Sequence, residues 1–575
     1  MIMRIFSDYW SFACFLLLLI FMGLFYQVAF QYPAIDGFPL IERLINNQYL
    51  VNDFFTNTFK EFSPRLASAK LIVWLSQLFE IDYQWVVAYA NIIRIWLYGI
   101  GLYLLFANLA GRAVALLAFA FSSLSFLSMP FLPAWWPITY DLTSSNIALV
   151  FAMFAWVYAV RNNVHAAFLL LTFAVIVHPV VGVQALLVSI LIYIARNSMS
   201  DLLALFKIPS IYPFAIAFTL AFLFNYLSYE QVLSDQEFIS INGHFRHGHH
   251  FIFSHMDIEK WLSTLLMITL CLVITYFLRH ANSTRLDRLS YWVIAYAALM
   301  TVLSYLFAEL YPTRFMISFI PMRGFPILVP IIILAFARLA YLQWQQQKFC
   351  NFFLLFLPFL PYNHLGLTWF LLPNHHQMVL PMLITLFAMV VLLADAKGVM
   401  IFNPIDKLII KLIPRIPMAL LILPIGLAAF ALSLIKFTIN IPSFDNQPDI
   451  YQWLNIHTDK NDVVLTELNA ADNQKLRLLA RRAVIVSKDF PFNELFYKEW
   501  YQRYQDTYLH RDDARGRIDQ LGEKELNNLM DKYSAQILLR TKILPEPVDF
   551  NLIGKTQGEK NEVYIYRHIK VTNHE

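Results

Sequence analysis

The sequence predicts an α-helical integral membrane protein, with about 13 transmembrane helices followed by an extracytoplasmic α/β domain. Two observations predict it. Of the 575 residues, 59% are hydrophobic and 14% charged, whereas soluble domains run at about 45–50% apolar and about 25% charged. Charge is also unevenly spread, because residues 438–575 hold 19 of the 43 Lys+Arg and 21 of the 39 Asp+Glu. A charge-poor membrane domain, 1–437, is therefore expected ahead of an ordinarily charged α/β domain, 438–575.

Crossing a bilayer takes about 20 apolar residues. Runs of that kind lie near 11–30, 86–108, 112–130, 146–160, 205–228, 261–279, 290–309, 318–338, 350–371, 377–395 and 416–437. The stretch 165–195 is too long for one crossing and is interrupted at His178-Pro179. Proline removes a helix donor and clashes with the preceding turn, so two short helices meeting at Val180–Gly182 are expected. The first run follows Arg4 and has no small-residue cleavage pattern after it, which reads as an uncleaved helix.

Orientation follows the Lys/Arg bias of short loops. Arg4, Arg112, Arg161, Arg196 with Lys207, Arg279 with Arg285 and Arg288, Arg338 with Lys348, and the Lys397–Arg415 loop mark the cytoplasmic side. The outer set is then 31–85, 131–145, 229–260, 310–317, 372–376 and the C-terminal domain. Within that domain, Ile450–His457, Lys475–Arg481, Trp500–Tyr508 and Lys524–Tyr533 read as helical. Asp462–Leu465, Ala483–Ser487, Ala535–Arg540, Phe550–Ile553 and Glu562–Arg567 read as extended.

The net charge of +4 comes without a basic, aromatic-interleaved stripe, which argues against nucleic acid as a partner. Three cysteines, all in or beside apolar runs, build neither a disulfide framework nor a cysteine zinc site.

Chemistry concentrates in the outer loops. The first carries Asp36, Glu42, Asp53 and Glu61, and such carboxylates take a proton from an acceptor or ligate a divalent cation. Asp36 is singled out, with Asp53 second, because it lies just beyond the first helix, where unpaired charge is costly. The loop 229–260 carries His244, Arg246, His247, His249, His250 and His255. The cluster could chelate a metal or grip a phosphate, and Arg246, His247, His249 and His250 are the substrate-binding candidates, since arginine offers phosphate a planar fork. The spacing matches no zinc motif. Arg314 and Arg323 stand at the start of an apolar run and are substrate-binding candidates as intramembrane charges; snorkelling to the interface is the alternative. Trp135, Trp136 and Tyr140 read as interface anchors.

Several stretches together resemble the GT-C class of membrane glycosyltransferases, and within it an uncharacterised bacterial family. They are Asn52-Asp53-Phe54-Phe55, His178-Pro179-Val180-Val181-Gly182, Phe245-Arg246-His247-Gly248-His249-His250, Arg482-Ala483-Val484-Ile485-Val486, Pro491-Phe492 and Glu499-Trp500-Tyr501. The resemblance implies transfer of a sugar from a polyprenyl-phosphate donor to an envelope glycan, lipid or protein. It places the reaction on the outer face of a bacterial inner membrane, with the N-terminus cytoplasmic and residues 438–575 periplasmic. Membrane lipid and the lipid-linked sugar would be its partners, and a divalent cation a candidate cofactor. The chain departs from that class in lacking the Trp-Trp-Asp-Tyr-Gly motif of oligosaccharyltransferases. It also lacks the paired first-loop acids of protein mannosyltransferases. A transporter or flippase, suggested by the interrupted helix, and a non-catalytic envelope scaffold are the competing expectations.

Overall fold

The computed structural model describes residues 9–29, 38–60, 66–125, 142–197, 207–226, 232–246, 284–321, 328–357, 379–397, 401–412, 418–436, 449–467, 475–487, 490–491, 493–508, 517–545, 548–558 and 561–569, with isolated positions between 265 and 276 and at 399. Contacts divide the chain into two compact units. One comprises Met1–Gln31, Ala88–Leu227 and Gly248–Ile439; the other comprises Tyr32–Val87, Ser228–His247 and Asn440–Glu575.

The first unit is helical. Among the described residues three helices are long and apolar enough to cross a membrane: Tyr83–Ala110, which begins in the second unit, Pro179–Arg196 and Arg288–Leu310. Nine further apolar helices are shorter. Tyr9–Ala29 packs on Met418–Lys436, where the Cys14 thiol donates to the Ala419 carbonyl at 3.2 Å. Phe15 also lies 5.1 Å from Phe119 of Arg112–Ser125.

The interrupted stretch forms two helices, Val164–Val177 and Pro179–Arg196, that meet at His178 rather than at Val180–Gly182. The reason is local. Pro179 occupies the first helical position, where its missing N–H costs nothing, and His178 Nδ1 accepts from the Val181 N–H at 3.3 Å. Gly182 then lets the two helices touch, since a Cβ there would stand 2.6 Å from the Val175 Cα. A second interruption follows Arg314–Phe319, where Ile320 takes a left-handed conformation, φ 46°. A β-branched residue is strained there. From Pro179–Arg196, the Gln184 amide donates to the Ile320 carbonyl at 3.1 Å and accepts from the Tyr296 hydroxyl at 3.2 Å. The exposed backbone is thereby satisfied within the protein, as an apolar surround demands.

The second unit contains a five-stranded sheet: β1 Val463–Thr466, β2 Ala483–Val484, β3 Ile537–Arg540, β4 Phe550–Gln557 and β5 Glu562–His568, in the order β2-β1-β3-β5-β4. β1 runs parallel to β2 and β3, and the remaining pairs are antiparallel. Helices Asp449–His457, Tyr497–Thr507 and Glu523–Lys532 accompany it. β2 is shorter than the extended reading of Ala483–Ser487: its pairing with β1 ends with the Ile485 N–H donating to the Val464 carbonyl at 3.2 Å, and Ser487 beyond it accepts from Arg477. Gly554 on β4 is required by packing: a Cβ would lie 2.2 Å from the ring of Trp453.

Candidate functional site

Of the stretches that carry the resemblance, Asn52–Phe55, Arg482–Val486 and Glu499–Tyr501, with Phe245 and Arg246, come together in the second unit. Asp53 starts the short helix Phe54–Asn57, and its Oδ2 accepts from the Thr56 N–H and hydroxyl, both at 2.8 Å. Its Oδ1 accepts from Arg477 Nε at 2.9 Å and from the Val484 N–H at 3.1 Å. Arg477 comes from a π-helical turn, Leu476–Ala480, and donates also to the Ser487 hydroxyl at 2.7 Å. Asp53 and Arg477 are 0% and 1% exposed. A buried carboxylate with four donors around it is a paired structural anion. Asp53 thus holds the first-loop segment onto the end of β2.

The Ser487 carbonyl accepts from Trp500 Nε1 at 3.3 Å. Trp500 packs on Phe490, 4.7 Å between centroids, and with Tyr501 and Tyr504 surrounds Phe245 at 5.0 to 5.8 Å. Phe245 and Arg246 end another π-helical turn, Ile239–Arg246, a form common at functional sites. The Arg246 guanidinium carbon lies 3.8 Å over the Phe490 ring, and Nη1 donates to Asn242 at 3.2 Å. Arg246 is half-buried. Its aromatic platform and amide neighbour orient the cation.

The third element is Glu42, on the helix Phe38–Ile45. Its Oε1 accepts from the Tyr83 hydroxyl at 2.7 Å and stands 4.0 Å from Arg481. The side chain keeps 12% exposure, unlike that of Asp53. Tyr49 donates to the Arg477 carbonyl at 2.7 Å. Burial raises the Tyr49 hydroxyl above its ordinary range, and Glu42 and Asp53 push it further. It is therefore a fixed, neutral donor.

Of the residues picked from the sequence, Asp53 and Arg246 belong to this unit. Arg314 belongs to the first, half-buried at the start of the helix Arg314–Phe319 with Thr313 as its cap. Asp36, His247, His249, His250 and Arg323 lie outside the described residues. Among the described residues no three His, Cys, Asp or Glu groups come together to hold a metal ion. Sequence reasoning missed Arg477, and it named Glu42 among the first-loop acids without singling it out, although its place on an amphipathic short helix was a signal. Arg482, from one of the stretches that carry the resemblance, proves to cap the helix Asp449–His457, donating to the carbonyls of Leu454 and Thr458 at 3.0 and 2.6 Å.

Residues 446–507 match a family described as a domain of unknown function, DUF6798. No curated protein matches the chain. Among solved structures it is similar to the Archaeoglobus fulgidus oligosaccharyltransferase tethered to an acceptor peptide, at 10% identity and a TM-score of 0.46, covering 93% of this chain and 69% of that one. The apo form of the same enzyme gives 10% identity and 0.41, covering 93% and 70%. Its complex with an inhibitory peptide and a dolichol-phosphate gives 10% identity and 0.39, covering 92% and 69%. Those solved structures are of a GT-C glycosyltransferase, the class the motif stretches resemble. At TM-scores below 0.5 they are likenesses only, and the functional reading stands on the chain's own residues.

Proposed function

We propose that the chain is a membrane glycosyltransferase. It moves a sugar from a polyprenyl-phosphate donor to an envelope glycan, lipid or protein acceptor, on the outer face of a bacterial inner membrane. One observation carries the reading: Arg246, oriented on Phe490, and Glu42, whose side chain is 12% exposed, belong to one compact unit with the C-terminal domain. That unit gathers first-loop, 228–247 and C-terminal residues, the segments whose Lys/Arg pattern puts them on one side of the membrane.

In this mechanism a carboxylate, Asp36 or Glu42, takes the proton of the acceptor hydroxyl as its oxygen bonds to the anomeric carbon. The carbon–oxygen bond to phosphate breaks, and its electron pair leaves on the phosphate, where Arg246 answers the growing negative charge. His247, His249 and His250 follow Arg246 in the chain and add positive charge as they protonate. Arg314 and Arg323 are the phosphate candidates of the first unit. Asp53 positions the segment and takes no proton. No step passes through a metal.

Transfer from a radiolabelled polyprenyl-phosphate hexose by the purified protein tests this. Glu42→Gln or Asp36→Asn, whichever is the base, should cut the rate about 10²-fold, the scale of general-base catalysis. Near wild-type rates in both would remove the carboxylate role, and no transfer by the wild type with any donor would remove the reaction. A cysteine at Ser534, an exposed position, should react with an impermeant thiol reagent in intact spheroplasts. Labelling only after lysis would reverse the orientation.

The two helix interruptions favour a second reading, a flippase for the same lipid, because discontinuous helices line transport sites. Movement of the lipid-linked donor between leaflets of proteoliposomes, without sugar transfer, would select it.

A further inference from the structure

The first outer segment holds a helix whose surface does not suit water. Leu66–Phe79 is 14 residues long, and Lys70 is its single charged residue. Ala69 and Ile72 are buried, and the helix packs on Phe38–Ile45. Leu71, Trp74 and Leu78, at the i, i+3, i+7 spacing of one helix face, are instead more than half exposed. Phe79 is 62% exposed, and Ile81 is exposed as well.

We infer that Leu66–Phe79 lies in the headgroup–acyl boundary of the outer leaflet, with phospholipid covering Leu71, Trp74, Leu78 and Phe79. Length excludes a crossing: 14 residues rise roughly 21 Å, short of the ~30 Å hydrocarbon core. Continuity names the occupant. The Gln84 N–H donates to Asp82 at 2.8 Å, at the start of Tyr83–Ala110, the longest of the candidate spans. That span carries its own exposed apolar stripe, Trp85, Tyr89, Ile93 and Leu97, at a spacing of four. In sequence, exposed apolar residues therefore continue from the start of the span back into Leu66–Phe79, with only Glu80 and Asp82 as intervening charges. Trp74 is the residue type that favours the interface, and Lys70 has the stem to reach phosphate from there. The segment bearing Asp53 and Glu42 is thereby tied to the membrane surface at its C-terminal end, at the depth of a lipid phosphate. The inference rests on Tyr83–Ala110 spanning the bilayer and not on the transfer reaction.

Full-length protein in phospholipid nanodiscs, with the three native cysteines replaced, carries a nitroxide at Trp74→Cys or Leu78→Cys. Leu97→Cys is the lipid-facing control and Lys460→Cys the aqueous one. At 74 and 78, collisions with oxygen should exceed those with a water-soluble nickel chelate, as at 97, and the ratio should reverse at 460. Nickel-dominated collisions at 74 and 78 would overturn the inference. So would shielding from both reagents, which means protein cover, or spin–spin broadening, which means a second copy. A water-exposed label at 97 would instead remove the spanning helix on which the inference rests, whatever the transfer assay shows.

Discussion

Two arginines of the second unit, each in a π-helical turn, occupy opposite environments. Arg477 is 1% exposed and shares Asp53 with the Val484 N–H. Arg246 is half-buried, laid on Phe490, and hydrogen-bonded to a neutral amide. A buried cation whose charge is answered inside the protein can organise structure. A half-buried cation laid on an aromatic ring stays open enough to hold an anion. The same contrast separates the two carboxylates, since Asp53 is enclosed by donors while Glu42 keeps part of its side chain exposed. Charge type alone therefore does not distinguish anchor from site; depth of burial does.

The largest effect that would break this comparison is on stability. Arg477→Ala strands the Asp53 carboxylate in the interior, and losing one partner of a buried pair costs about 3–5 kcal/mol. The unfolding midpoint in detergent should fall sharply. The double variant Asp53→Leu, Arg477→Met should recover most of the loss, because no charge is then left buried. A single variant as stable as wild type would mean that Asp53 is not an anchor.

Arg246→Ala should cost far less, about 0.5–2 kcal/mol for a cation–π contact that is half-exposed, with the fold kept. A loss as large as that at Arg477 would erase the distinction between the two arginines.

The smallest effect lies at Asp506. Burial raises its carboxyl, but hydrogen bonds from Lys532, Tyr533 and Gln502 outweigh burial and hold it below its ordinary 3.8. A depressed carboxyl stabilises fully above the unfolded value and loses that contribution as pH falls through the folded one. Asp506→Asn should therefore weaken the domain above about pH 4 and flatten its acid loss below. An unchanged acid profile would contradict the assignment.

Much of the second unit was legible in the sequence because its signals are local. Short extended runs marked all five strands, and the helical readings Ile450–His457, Trp500–Tyr508 and Lys524–Tyr533 fall within a few residues of Asp449–His457, Tyr497–Thr507 and Glu523–Lys532. The interruption at His178-Pro179 was legible from proline chemistry, and its position shifted because His178 serves as cap. What stayed hidden is non-local. Nothing around Asp53 points to Arg477, 424 residues away, so a first-loop aspartate looked catalytic. The apolar stripe of Leu66–Phe79 was visible in its spacing, but reading 31–85 as an outer loop passed over it. Gln184 and the strained Ile320 pair across 136 residues and leave no local pattern.

The claim that Arg246 is the anion-holding group of an outer lipid-phosphate site is tested most directly by binding. Polyprenyl phosphate is titrated into purified wild-type, Arg246→Ala and Arg246→Lys protein, each shown to be folded by its unfolding midpoint. Loss of a charge-assisted hydrogen bond, about 1.5–3 kcal/mol, predicts at least roughly tenfold weaker binding by Arg246→Ala, with lysine restoring part of it. Equal affinity in all three proteins would contradict the account.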